Sequence, residues 1–235
     1  MNRLLVPLLL PAAIALAVPA ALAQPATPRI VVVGEGKATV APDLALLTLG
    51  VMREAGTAGE ALQATNQAMA AVIADMKAAG VAQRDLQTTG LQIFPRYTYT
   101  SRPDGSQDAE LVGYQVANTL SVRVRDIARA GELIDRAVSL GVNQNTSITF
   151  ANDDTDAVLA QARTRAVEDA MARARTLAEA AGVSLGRVLE ITEQADSAAP
   201  LPITEKAYAR AADAAPVEAG ENAYRVQVTV TFELR

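Results

Sequence analysis

The chain has 235 residues, 21 Lys and Arg against 26 Asp and Glu, and a formal net charge of −5. It contains no cysteine and no histidine, which excludes disulfides, thiolate catalysis, cysteine metal sites and the common general base near neutral pH. The negative charge, the scarcity of aromatic residues (five Tyr, three Phe, no Trp) and the interleaving of arginines with acids exclude a nucleic-acid surface.

Arg3, an apolar stretch from Leu4 to Val18 and the small-residue site Ala21-Leu22-Ala23 read as a secretory signal, residues 1–23, whose cleavage leaves Gln24 first. Pro7, Pro11 and Pro19 interrupt the run and argue against a membrane anchor. No later stretch is apolar for long enough to span a bilayer, so no transmembrane segment is expected in the mature chain. Residues 24–235 suit one large domain or two small lobes.

Arg29 to Ala38 and Leu44 to Arg53 read as strands joined by Ala41-Pro42-Asp43, an expected antiparallel pair. Thr57-Ala58-Gly59-Glu60 has the capping-box form, and Leu62, Met69, Val72, Ile73 and Met76 recur at helical spacing up to Ala79. Helical patterns end three times on glycine then valine, at Gly80-Val81, Gly141-Val142 and Gly182-Val183, each followed by a β-rich segment. This is a weak internal repeat of helix, cap and strand.

Leu91, Ile93, Tyr97 and Tyr99 alternate outward, Pro103 to Gly105 turns, and Tyr114, Val116, Leu120, Val122 and Val124 alternate back, which predicts a long hairpin. Asp126 is expected to cap a second helix to Leu140, and Thr146 to Phe150 a short strand. A long helix is expected from about Thr155 to Ala181. One face of it carries Ala162, Ala166, Ala170, Ala174 and Ala178, suited to close contact with a sheet. The other carries Arg163, Arg165, Glu168, Asp169, Arg173, Arg175 and Glu179, read as a solvated, self-neutralising surface. After a strand at Arg187 to Glu193, residues 195–221 are rich in alanine and proline and read as a mobile loop. Tyr224, Val226, Val228, Val230, Phe232 and Leu234 define the last strand.

Three motifs invite chemistry. Gly182-Val183-Ser184-Leu185-Gly186 fits the G-x-S-x-G nucleophile elbow, but a helix enters where a strand is required and the triad has no histidine. A serine–lysine pair through Lys37, Lys77 or Lys206 lacks S-x-x-K spacing. Gly34-Glu35-Gly36 resembles a dinucleotide loop, yet Thr39 stands at the third glycine position and a strand follows; these glycines read as a bend or bulge. Asn152, Asp154 and Asp156 alternate as in an EF-hand, but Ala157 and Arg163 occupy the required glycine and glutamate positions, so helix capping is the favoured role.

An ordered set of short pieces carries a family resemblance: Val33-Gly34-Glu35-Gly36 then Pro42-Asp43, Gly80-Val81 then Asp85 and Thr88, and Gly113-Tyr114 with Asn118. It continues through Ala162-Arg163 with Ala166, Asp169 and Ala170, through Ala181-Gly182-Val183 with Leu185-Gly186, and into the β-rich tail. In this set the chain resembles the SIMPL-domain family, some members of which are named periplasmic immunogenic or oxidative-stress-defence proteins. The resemblance covers nearly everything after the signal. It implies an α+β fold in the bacterial periplasm or at the outer surface, and brings no catalytic residues. A link with oxidative stress cannot here be thiol peroxidase chemistry, since there is no cysteine.

The resulting expectation is an α+β protein with mixed, largely antiparallel sheets and three main helices packed on them, one of them long. Functionally it is a non-enzymatic envelope protein acting by self-assembly, as a homo-oligomer, or by partner binding. No catalytic, cofactor-binding or metal residues and no cofactor are assigned. The alternatives are a periplasmic protein that binds a small ligand or cation, and a hydrolase using a carboxylate, lysine or serine site.

Overall fold

A computed structural model of the chain describes residues 28–103, 107–194, 201–203 and 218–235. The signal segment, its cleavage site and Lys206 lie outside the described residues. In chain order the elements are β1 (Arg29–Val40), β2 (Leu44–Ala55), α1 (Ala58–Ala78), β3 (Leu86–Ser101) and β4 (Gln107–Val124). There follow α2 (Ala130–Ser139), β5 (Gln144–Ala151), α3 (Asp156–Ala180), β6 (Leu185–Gln194), β7 (Leu201–Ile203) and β8 (Glu221–Leu234). The class is α+β, with every strand pairing antiparallel.

Two sheets form, each with its own core. In the first, β8 is central, flanked by β1 on one side and by β6 and β7 on the other. In the second, the order is β3-β4-β2-β5. The expected β1–β2 pair does not occur. β1 pairs along its whole length with β8, from Arg29 opposite Glu233 to Val40 opposite Asn222, while β2 crosses to the other sheet. The short Ala41-Pro42-Asp43 link fits a hairpin, but alternation specifies only the buried face of a strand and leaves its neighbour open.

The first core explains both the glycines of β1 and the alanines of α3. Ala162, Ala166, Ala170, Ala174 and Ala178 are buried against β1 and β8, as their spacing predicts. Gly34 and Gly36 lie on the facing side of β1 in unbroken register, so the expected bend or bulge is absent. A Cβ on Gly34 would stand 2.6 Å from Ala170 N, and one on Gly36 2.5 Å from Ala166 N. Strand and helix backbones meet because neither carries more than a methyl group there. The 25-residue α3, about 37 Å long, is thereby held flat on the sheet.

The second core is conventional, with Leu47, Leu49, Val51, Met69, Val72, Met76, Leu120, Val122 and Leu133 buried between sheet, α1 and α2. Its helix α1 begins with the capping box expected from sequence: Thr57 accepts from the Glu60 N–H and the Glu60 carboxylate accepts from the Thr57 N–H. All three glycine–valine caps form. Gly80, Gly141 and Gly182 have φ of 94°, 111° and 70°. Val81, Val142 and Val183 donate to the carbonyls of Met76, Ala137 and Ala178, each at 3.0 Å, which is the Schellman pattern. Asp126 does not cap α2. A 3-10 turn, Ile127–Arg129, intervenes and the Asp126 side chain makes no cap bond.

A polar junction joins the sheets. Asn152 Oδ1 accepts from Asn222 Nδ2 (2.9 Å) and from the Tyr224 hydroxyl (3.0 Å), while its Nδ2 donates to the Ala41 carbonyl (2.8 Å). Burial, and then the charge of Asp43, push the Tyr224 phenol above its ordinary range, so it stays a neutral donor. Within 195–221, Leu201–Ile203 pairs with β8; residues 195–200 and 204–217 of that expected loop lie outside the described residues. No helix among the described residues is long and apolar enough to cross a membrane.

Candidate functional site

The motifs that invited chemistry do not converge. Ser184 sits in the turn between α3 and β6, where its backbone N–H and C=O bond both ways with Arg235 at 2.7 and 2.8 Å. A helix enters this turn and a strand leaves it, the inverse of a nucleophile elbow. Lys37 stands opposite Arg225 and Leu185 opposite Leu234, at the two ends of β8 and about 30 Å apart. Lys77 lies on α1, over the other sheet. The EF-hand-like acids are also split. Asn152 points into the junction, whereas Asp154 Oδ1 accepts from the Asp156 N–H (2.9 Å) in an Asx turn just before α3, whose cap residue Thr155 makes no side-chain cap bond.

What stands out is the β3–β4 hairpin. β4 keeps β2 as a neighbour only up to the Tyr114–Ala55 pair, so beyond it the two strands run on as a ribbon with no third strand among the described residues. α1 lies over β4 and β2 and leaves β3 almost uncovered. Along β3 the residues Leu91, Ile93, Pro95, Tyr97 and Tyr99 alternate onto one face, the face that carries Val116 and Leu120 in β4. Leu91, Ile93, Tyr97 and Tyr99 are 52%, 46%, 48% and 63% exposed, and Leu111, opposite Tyr97, extends the stripe. The reverse face is mostly polar, with Gln92, Arg96, Thr98 and Thr100 around Phe94. Arg96 pairs with Glu54 and Arg102 with Asp108, and Glu110 stands opposite Thr98 on the reverse face. The ribbon thus offers a neutral apolar stripe and, along β3, an unpaired backbone edge.

Over this span the SIMPL family model, described as a protein of unknown function (DUF541), matches residues 30–232. The chain belongs to the SIMPL family. It is 46% identical over 217 residues to the 26 kDa periplasmic immunogenic protein of Brucella melitensis, covering 90% of this chain and 86% of the relative. It is 29% identical over 216 residues to the uncharacterized protein YggE of Escherichia coli K12, covering 89% and 85%. The SIMPL match therefore includes both sheets, all three helices and the hairpin.

Two features of this SIMPL chain escape its sequence. The charged face of α3 is more than a self-neutralising surface. Arg173 donates to the Val33 carbonyl (3.1 Å), Asp169 accepts from the Glu35 N–H (2.9 Å), and Arg165 donates to the Lys37 carbonyl. Three side chains at helical spacing thus cover alternate residues of the open β1 edge. The second feature is a charge network. Arg123 and Arg125, two apart on β4, both pair with Asp153 before α3 and with the buried Asp85 before β3. Hydrogen bonding to Arg125 foremost lowers the Asp153 carboxyl, and the Asp153 bond raises Arg125, so this pair is ionised throughout the neutral range. Its members come from three separated segments.

Proposed function

We propose that this SIMPL protein is a non-enzymatic protein of the bacterial periplasm that acts by self-assembly through its β3–β4 hairpin. The observation that carries the reading is the ribbon: an apolar stripe from Leu91 to Tyr99 exposed beside an unpaired strand edge. The stripe face carries no charged residue from Leu91 to Tyr99, so it calls for a neutral, apolar, strand-like partner, and a second copy of the same ribbon has that form. The printed name of the Brucella melitensis relative supports the periplasm, as does the signal reading of residues 1–23 with cleavage before Gln24. The absence of histidine and cysteine from the sequence, and the separation of Ser184 from Lys37 and Lys77, favour a non-enzymatic role. Protection against oxidative stress is an indirect consequence implied by family resemblance.

The lack of cysteine makes the test simple, because any introduced thiol is the sole one. Ile93→Cys and Tyr97→Cys chains should form disulfide-linked dimers on mild oxidation, while Arg175→Cys, on the outer face of α3, should not. Dimers from Arg175→Cys alone would contradict the hairpin as the contact.

A further inference from the structure

At one end of the second sheet a cavity of about 260 Å³ opens between the C-terminal cap of α1, the Gln83–Asp85 turn, the end of β4 and the start of α2. Arg84, Arg123, Arg125 and Arg129 line it. Against them stand Asp85 and Asp126 in the wall and Asp153 beside it. Glu132 lies against Arg129 as well (3.6 Å), so the four arginines and the four acids balance in charge, within a chain whose total is −5.

The arginines are held in different ways. Asp85 and Asp153 grip Arg123 and Arg125 and fix their guanidinium planes. Arg129 donates one N–H to the Ala79 carbonyl at the end of α1 (2.9 Å), which removes that carbonyl from the opening, and its Nε lies 3.6 Å from Glu132 Oε2. Arg84 makes no hydrogen bond or ion pair among the described residues, although it lines the same space. A guanidinium has five N–H donors and no acceptor, so Arg84, the one of the four without a partner among the described residues, brings a full donor set to the lining of a small volume. Val124 and Leu133 supply an apolar part of the wall.

We propose that this cavity binds a small oxyanion, a carboxylate or phosphate group carried on at most a short hydrocarbon body. Guanidinium forks match the oxygen spacing of both groups and bind them with charge-assisted hydrogen bonds. The volume lies below the usual range of about 300–1,000 Å³ for drug-sized ligands, which limits the ligand to a few heavy atoms. Arg84 and Arg129 are the recognising residues, and Arg123 and Arg125 form the pinned base of the site. The inference is independent of assembly through the hairpin, which lies farther along β3 and β4.

Isothermal titration of the mature chain in chloride buffer of fixed ionic strength, with inorganic phosphate in one series and succinate in another, tests it. Saturable binding of either probe is expected. Phosphate alone would identify a phosphoryl ligand, succinate alone a carboxylate, and both the shared chemistry. Arg84→Ala should weaken binding at least about tenfold, as loss of a charge-assisted partner does, with an unchanged melting temperature. Arg187→Ala, on exposed β6, should bind as the parent does. Absence of saturation with both probes, or parental affinity in both Arg84→Ala and Arg129→Ala, would overturn the proposal.

Discussion

Along β1, the outward backbone of Val33, Glu35 and Lys37 is met by Arg173, Asp169 and Arg165 of α3; along β3, the strand from Gly90 to Ser101 has β4 on one side and, among the described residues, no strand on the other. Both are long edges with alternating side chains. The difference comes from the helices. Gly34 and Gly36 let α3 approach so closely that its long side chains reach over the edge of the sheet, whereas α1 sits on β4 and β2 and stops short of the ribbon. An edge is closed here by helix proximity, and that proximity is specified by the absence of Cβ atoms on one strand. The β1 edge is thereby withdrawn from pairing with other chains and the hairpin is left available.

The comparison can be broken most severely at its root. Gly36→Val would drive a branched side chain into the Ala162 carbonyl and the Ala166 N–H, backbone groups that cannot move aside. A loss of more than about 3 kcal/mol is expected, beyond the usual overpacking range, read as a collapsed denaturant midpoint. Ala170→Leu acts on the same contact from the helix side and should cost about 1–3 kcal/mol.

Asp169→Ala removes the acceptor of the Glu35 N–H and the partner of Arg173. About 1 kcal/mol of stability should be lost, together with new association in sedimentation as the β1 edge opens. Arg175→Ala marks the bottom of the scale: it has no hydrogen bond or ion pair among the described residues, and a change within about 0.5 kcal/mol is expected. Were Asp169→Ala as silent as Arg175→Ala, the closed-edge account of α3 would fail.

Much of this was legible because the signals are local. The capping box at Thr57 and Glu60, the three glycine–valine caps and the alanine stripe of α3 each rest on short-range spacing in the sequence, whereas residues 104 and 105 of the expected Pro103 to Gly105 turn lie outside the described residues. What escaped depends on pairing across the chain. Alternation in β1 marked the buried face but not β8 as its neighbour, so the link to β2 was misread as a hairpin. Gly34 and Gly36 were read as a bulge because their cause, the backbone of α3, lies over 120 residues away. Asp85, Arg123, Arg125 and Asp153 form one network only after the second sheet has assembled, and no spacing rule connects them.

The central claim is that the β3–β4 ribbon joins copies of this chain. Sedimentation of the mature protein at micromolar concentration, beside an Ile93→Lys, Tyr97→Lys double variant, tests it most directly. The account predicts a multi-copy species for the parent and a single-chain species for the variant with an unchanged melting temperature. A parent that sediments at the mass of one chain, unaltered as concentration rises, would contradict it.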